Sequence, residues 1–334
     1  MHFEADSPEI RWANALTADT WACRARRTVE AALAVGIPEV LAEAPATAEA
    51  VADAKNLHAP TVEKVLIVLA AMGLVERGGN GWRLTPKARA TLVAGAPLYQ
   101  GNILAHHAQV GSFWCDLESA LRGEAGGWAF SPDGRDRMRS YRDFVLGMHN
   151  LAMAGRAAAF CDRVDLAGCR TLVDVGGGPA SYSMALAERY PDLSATVLDV
   201  PEAVEIARGL IDRFGMAGRV RAEVGDWHEV EFGDADRDAV LLSNVLHGPM
   251  RQAEMKLAKA HRALVPGGRL LVQDFLMNAE RTGPLVPAVF NLMVGAFALP
   301  ELIDRMLAAG FSEPGIQPMP EPFESTVLTA EKAG

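Results

Sequence analysis

The run Thr171-Leu172-Val173-Asp174-Val175, followed at once by Gly176-Gly177-Gly178-Pro179 and then by SYSMALAERY, constrains this chain more than any other stretch. A β-prone segment, a glycine turn and an amphipathic helix in that order form the opening unit of a Rossmann-like nucleotide site. The glycines let the backbone come close to a ligand and turn tightly into the helix. A second β-prone segment, Ala195-Thr196-Val197-Leu198, ends at Asp199, 21 residues beyond Gly178. An acid at that distance is placed to take the two ribose hydroxyls of an adenosine. Pro201 then opens the next helix, PEAVEIARGLIDRF, where its missing N–H costs nothing.

Two adenosine ligands compete for such a site. The dinucleotide fingerprint calls for a third glycine where Ser181 stands, because backbone and pyrophosphate share that space. Asp174 on the first strand would also sit poorly beside a pyrophosphate. It suits the ammonium and sulfonium of S-adenosylmethionine, so spacing favours that molecule over NAD, and both over a plain tight turn.

Composition sets outer limits. The chain has 334 residues, 50% of them hydrophobic, room for about two domains at roughly 150 residues each. A formal net charge of -10 argues against a chain whose task is to neutralise the phosphates of nucleic acid or of a membrane. The four cysteines, Cys23, Cys115, Cys161 and Cys169, form no CxxC pair, which suggests reduced thiols in a cytoplasm and no zinc site. The acidic start MHFEADSPEI lacks the basic region of a secretory leader. The longest uncharged stretch, Thr282 to Pro300, is broken by Gly283, Pro284, Pro287, Asn291 and Gly295, so it reads as a buried wall and not a membrane span.

The first hundred residues follow a different pattern. A helix is expected from about Asp19 to Glu43, a short one after Thr47, and another from Pro60-Thr61 that ends near Gly73. ERGGNGWRLT then carries the glycine and asparagine of a β-hairpin. Helices followed by a hairpin make a winged helix, and its usual partner is DNA. Residues 1–100, however, hold 10 Lys/Arg against 11 Asp/Glu, and the would-be reading helix is mostly apolar around Lys64. Base edges and phosphates need polar and basic side chains, so the pattern favours packing or dimerisation over DNA reading. From Pro97 to about Leu166 mixed helices follow, and from Arg170 strands alternate with helices, the texture of a parallel sheet.

The motifs LVDVGGGPASYSMALAERYPDLSATVLDVPEAVEIAR, VGDWHE, LLSNVLHG and RALVPGGRLLVQDF together resemble, in order and spacing, the S-adenosylmethionine-dependent small-molecule O-methyltransferases that act on phenols, flavonoids, hydroxyindoles, polyketides and tetrapyrroles. The resemblance covers essentially the whole chain. It implies an α/β architecture: a Rossmann-like class I methyltransferase domain with a mostly parallel seven-stranded sheet, preceded by a mainly helical winged-helix dimerisation domain. The expected divisions are 1–100 for dimerisation, 101–165 for connecting helices that help form the acceptor pocket, and 166–334 for the cofactor domain. A homodimer with a small-molecule acceptor, without nucleic acid and without a membrane span, is the corresponding expectation.

Position by position, the resemblance sets Gly176 and Gly178 against the methionine part of S-adenosylmethionine, where the spacing already puts Asp174, and Asp199 on its ribose. Asp226 would accept from the adenine amino group, Trp227 would stack on the ring, and Ser243 would touch the carboxylate. His247 is the expected general base, since an imidazole with a reference pKa of about 6.5 takes a proton near neutrality. Trp114, Phe144, Met148, His149, Asn291 and Phe297 are the candidate acceptor contacts, with Phe113, Phe290 and Met293 beside them and His106 and His107 as alternative bases. No HxxxH or carboxylate set has metal spacing, so no metal is expected. Three departures stand out. The base is usually followed by Asp-Trp, but this chain reads His247-Gly248-Pro249-Met250, and Ala180 replaces a usual glycine. AVFNLMVGAFALPELIDRMLAAGF also lacks the acids that normally orient the base, so the sequence names no acidic partner for His247. That gap keeps open a decarboxylating, hydroxylating or ring-forming reaction, or C- or N-directed transfer, on the same fold. A ligand-sensing regulator is the remaining reading, disfavoured by the charge balance of residues 1–100.

Overall fold

The computed structural model describes residues 7–124, 135–247 and 252–333. They group into two compact units, Met1–Ser112 and Phe113–Gly334. The first contains helices α1 (Pro8–Ala34), α2 (Ile37–Glu43), α3 (Ala48–Lys55) and α4 (Ala59–Ala71), the strands β1 (Val75–Gly78) and β2 (Gly81–Leu84), and helix α5 (Pro86–Leu92). The single helix expected from Asp19 to Glu43 is in fact two, because Gly36 takes a left-handed φ of 78° that interrupts the hydrogen-bond ladder. Thr47 caps α3 by accepting from the Ala50 N–H at 3.2 Å. The hairpin pairs Val75 with Leu84, and Trp82 packs inward with its Nε1 donating to Glu63 at 2.9 Å. The apolar α4 turns Val62, Leu66 and Leu69 into this unit's own core. α4 leaves Ile67 51% exposed, and the most exposed large apolar side chains of this unit lie on α1, where Trp12, Leu16 and Trp21 are each at least 60% exposed.

Helix α6 (Gly101–Cys115) runs across the division between the units. The second unit continues with α7 (Leu117–Leu121), α8 (Arg135–Leu151), a π-helical segment at Ala152–Arg156, and α9 (Ala157–Cys161). The alternating part follows: β3 (Thr171–Val175), α10 (Ser181–Arg189), β4 (Ser194–Asp199), α11 (Pro201–Arg213), β5 (Val220–Val224), β6 (Arg237–Ser243), α12 (Ala253–Ala263) and β7 (Leu264–Asp274). The last described elements are α13 (Leu285–Val294), α14 (Leu299–Ala308), β8 (Gly315–Pro318) and β9 (Thr326–Glu331).

The sheet has seven strands in the order β5-β4-β3-β6-β7-β9-β8. β3 to β7 pair in parallel, and only β9 and β8 run against their neighbours. Alternation along β6 explains how both faces are filled: Leu241 enters the core under α10 and α11, while Val240 and Leu242 enter the core under α12 and α14. Chain order climbs from β3 to β5 on one side and from β6 to β7 on the other. Ligands of such sheets bind at the carboxyl ends of the strands where the order reverses, here between β3 and β6.

The late uncharged stretch is not the buried wall its composition suggests. α13 leaves Leu285 at 74% and Leu292 at 51% exposed, because a helix of almost only apolar residues still turns one side away from the sheet.

Candidate active site

The turn after β3 is built as its glycines require. Gly176 and Gly178 take left-handed φ values of 68° and 52°. A methyl group on Gly176 would lie 2.7 Å from Val245 and 2.9 Å from the Trp227 ring, whereas the same position on Gly178 opens onto free space. The turn is thus packed on one side and open on the other, which is the shape of a cradle.

Asp199 braces that cradle. Its Oδ2 accepts from the Gly178 N–H and its Oδ1 from the Val200 N–H, both at 2.8 Å. Burial raises its carboxyl above the usual range, and the two amide bonds oppose that rise. Each oxygen keeps a further lone pair with which to accept from a hydroxyl.

Asp174 is 1% exposed. Its Oδ2 accepts from Ser183 Oγ at 2.7 Å, but among the described residues its Oδ1 is buried without a hydrogen-bond partner. Burial pushes its carboxyl up to about 7. A buried acceptor against the turn, lacking a donor, fits the ammonium of a cationic ligand. Asp174, the Gly178 opening and Asp199 therefore fit an adenosine-bearing cation.

Two other expected contacts are already engaged in part. Asp226 accepts from the His228 N–H at 2.8 Å, which shapes the loop after β5. The Ser243 hydroxyl lies 3.4 Å from Gln273 Oε1 and 3.2 Å from Asn244 Nδ2. Trp227 rests edge-on against Gly176 and has Lys256 Nζ over its ring, 4.1 Å from the centroid. Only its other face is left for a base.

The missing acid of His247 is Asp274. His247 Nδ1 lies 2.7 Å from Asp274 Oδ1, and the two side chains are 14% and 1% exposed. A carboxylate accepts and does not donate, so Nδ1 carries the proton and Nε2 keeps its lone pair. The Phe275 N–H also donates to Asp274 Oδ1, at 2.8 Å. The sequence reading overlooked this partner, although its signal was present. Parallel pairing sets Ser243 opposite Gln273, so the residues just after β6 and the last residue of β7 must meet. The Gly248-Pro249-Met250 departure lies outside the described residues.

An aromatic pair stands next to His247. Phe290 meets the His247 ring edge to face at 4.7 Å, and Phe275, which the sequence reading did not single out, lies 4.5 Å from Phe290. The other acceptor candidates are dispersed. His149 is tied through Nδ1 to Ser181 Oγ at 2.8 Å, and burial lowers its pKa. Asn291 Oδ1 accepts from the Ala296 N–H at 3.0 Å and so closes the end of α13. Phe297 is 4% exposed in the core, with Arg305 over its ring. Phe144 lies near Tyr141, Trp114 packs edge-on against Phe113, and Met148 and Met293 are half-buried. His106 and His107 lie on α6 in the first unit, and burial holds His106 at about 4, too weak a base near neutrality. Among the described residues no group of three or more His, Cys, Asp or Glu could hold a metal ion, and no helix is long and apolar enough to cross a membrane.

The sequence pattern of an O-methyltransferase domain matches residues 123–299, and that of an O-methyltransferase dimerisation domain matches residues 22–94. The chain is 32% identical to the N,N-dimethyltransferase OxyT of Streptomyces rimosus over 82% of this chain and 81% of that one. It is 30% identical to the 3-hydroxy-5-methyl-1-naphthoate 3-O-methyltransferase of Streptomyces sahachiroi, over 92% of each. Among solved structures, human N-acetylserotonin methyltransferase in complex with SAM superposes with a TM-score of 0.82 at 20% identity, covering 100% of both chains, a likeness of fold. This chain belongs to the O-methyltransferase family and is an S-adenosylmethionine-dependent methyltransferase.

Proposed function

We propose that the chain transfers a methyl group from S-adenosylmethionine to a hydroxyl of a flat, largely apolar aromatic natural product of polyketide, quinone or tetrapyrrole type, with His247 as the general base. The observation that carries this reading is the His247–Asp274 pair at 2.7 Å, in the loop after β6 whose Val245 packs against the glycine turn. S-adenosylmethionine, when bound, supplies an electrophilic methyl on a cationic sulfur. Asp199 and Asp226 are the groups for its ribose and adenine amino group, Asp174, Gly176 and Gly178 for its methionine part, and Trp227 for the adenine face.

The protein's own task is then alignment and proton removal. Asp274 fixes the imidazole with Nε2 free, so that His247 takes the hydroxyl proton as the oxygen attacks in line. General-base help contributes roughly 10²–10⁴ in rate, and alignment supplies more, on the order of 7–11 kcal/mol. Phe290 and Phe275 give a planar acceptor an aromatic surface next to the base. Trp12 and Leu16, one turn apart on the same side of α1 and both exposed, support a homodimer formed through the first unit, since neighbouring exposed apolar side chains seek a partner.

The test is turnover of radiolabelled S-adenosylmethionine with a panel of hydroxynaphthoates and hydroxyquinones, in the unaltered protein and in His247→Ala. The reading requires a methyl gain of about 14 daltons on oxygen and a loss in the variant of about a hundredfold or more. Full turnover in His247→Ala would overturn the base. The N,N-dimethyltransferase relative at 32% identity favours an amine acceptor as the second reading. Product mass spectrometry with hydroxy and amino versions of one scaffold separates the two.

A further inference from the structure

Lys256, on α12, is 6% exposed. A buried ammonium is costly unless its charge and its donors are met, and two different groups meet this one. Nζ donates to the Val245 carbonyl, two residues before His247. It sits over the Trp227 ring, 4.1 Å from the centroid, within cation–π range. Burial lowers its pKa to about 8, and the charge of the Asp274 carboxylate opposes that fall. Asp274, in turn, spends Oδ1 on His247 and on the Phe275 amide, while its Oδ2 is buried with no hydrogen-bond partner among the described residues.

The neighbouring lysine shows what a merely structural contact looks like. Lys259 Nζ donates to the carbonyls of Trp227 and Val230 at 2.8 and 2.9 Å and simply closes the loop after β5. Lys256 instead joins groups that follow two different strands, β5 and β6. Val245 and Trp227 are the two side chains that a methyl on Gly176 would strike, so the same ammonium supports the packed side of the cofactor cradle and the loop that carries the base.

We propose that Lys256 is a positioning residue for methyl transfer: its buried ammonium, held by the Val245 carbonyl and the Trp227 ring, fixes the His247–Asp274 pair in its working orientation. It touches neither acceptor nor methyl group. Its action runs through the carbonyl that sets the path of the chain into His247 and through the charge that balances a carboxylate 1% exposed. This role rests on His247 being the base.

The deciding readout is the imidazole itself, which needs no known acceptor; kcat is then read with whichever acceptor of the panel turns over. In ¹⁵N-labelled protein saturated with S-adenosylhomocysteine, the His247 ring resonances, identified by their loss in His247→Gln, should show the Nδ1–H tautomer. Lys256→Gln keeps a donor of similar reach but removes the charge. It should convert His247 to a mixture of tautomers and lower kcat by about tenfold to a hundredfold, the range for a group that orients a functional one. The dissociation constant of S-adenosylhomocysteine should change less than kcat does. Lys256→Arg keeps the charge and should restore the tautomer. Lys256→Met provides a second neutral side chain should Lys256→Gln fail to fold. A folded neutral variant that binds S-adenosylhomocysteine and retains the Nδ1–H tautomer would overturn the proposal, as would Lys256→Arg losing it to the same extent. Undiminished turnover in His247→Ala sinks the base itself, whereas a tautomer indifferent to Lys256 sinks only this role.

Discussion

The two sides of the site are built from different materials. The cofactor side is made of backbone and carboxylate: Asp199 accepts from two main-chain amides, and the glycine turn leaves an opening where side chains would stand. The proposed acceptor side is made of rings and aliphatic side chains on α13, where Phe290 faces His247 and Leu285 and Leu292 remain exposed. Backbone geometry reads one ligand and tolerates little change. A surface of Phe and Met adapts to many shapes, which suits a family whose relatives bear such different acceptors in their names.

The sharpest way to break this contrast is to remove the group between the two sides. His247→Ala should reduce turnover by about 10²-fold or more and leave S-adenosylhomocysteine affinity, measured by calorimetry, close to that of the unaltered protein. A large loss of affinity would mean that the base belongs to the cofactor side. Asp274→Asn should cost less, about tenfold to a hundredfold in kcat, because the imidazole remains but its tautomer is no longer imposed.

On the cofactor side, pH is the probe. Burial raises Asp174 to about 7, so the free chain holds a proton there at lower pH and must release it to face an ammonium. Affinity for S-adenosylmethionine should rise with pH up to about 7 and level above it, by at most about tenfold per unit below that point. Asp174→Asn should bind weakly at all pH values and flatten the profile. An unchanged slope in that variant would remove Asp174 from the cofactor site. The first unit offers an independent probe. Trp12→Glu with Leu16→Glu should shift sedimentation from dimer toward monomer at micromolar concentration, because the exposed apolar face of α1 would then carry charge.

The same contrast explains what was legible in the sequence. The strand, turn and helix around Gly176 are contiguous, and the 21-residue step to Asp199 is a property of one βαβ unit, so local spacing was enough. Asp274 escaped notice because its bond to His247 spans 27 residues and is created by the pairing of β6 with β7. The exposure of α13 was hidden because a run without charges carries no polar marker of the side that faces away. The break at Gly36 was hidden because the apolar spacing continues across it while the backbone does not.

Ala180 supplies the smallest and most exacting comparison. It stands at the N-cap of α10 with a φ of 63° and is fully buried, a left-handed position that favours glycine. For a side chain that conformation costs roughly 1–2 kcal/mol. Ala180→Gly relieves it but gives up about 0.8 kcal/mol of buried methyl and about 0.5–1 kcal/mol to the greater freedom of unfolded glycine. These terms nearly cancel, so stability should stay within about 1 kcal/mol and the melting temperature within about 4 °C. S-adenosylhomocysteine affinity should not change, since the methyl group lies in the core packed under α10 and not in the opening at Gly178. A variant that melts far lower would show that the methyl group holds α10 in place. One that binds the cofactor more tightly would show that the left-handed alanine strains the cradle itself.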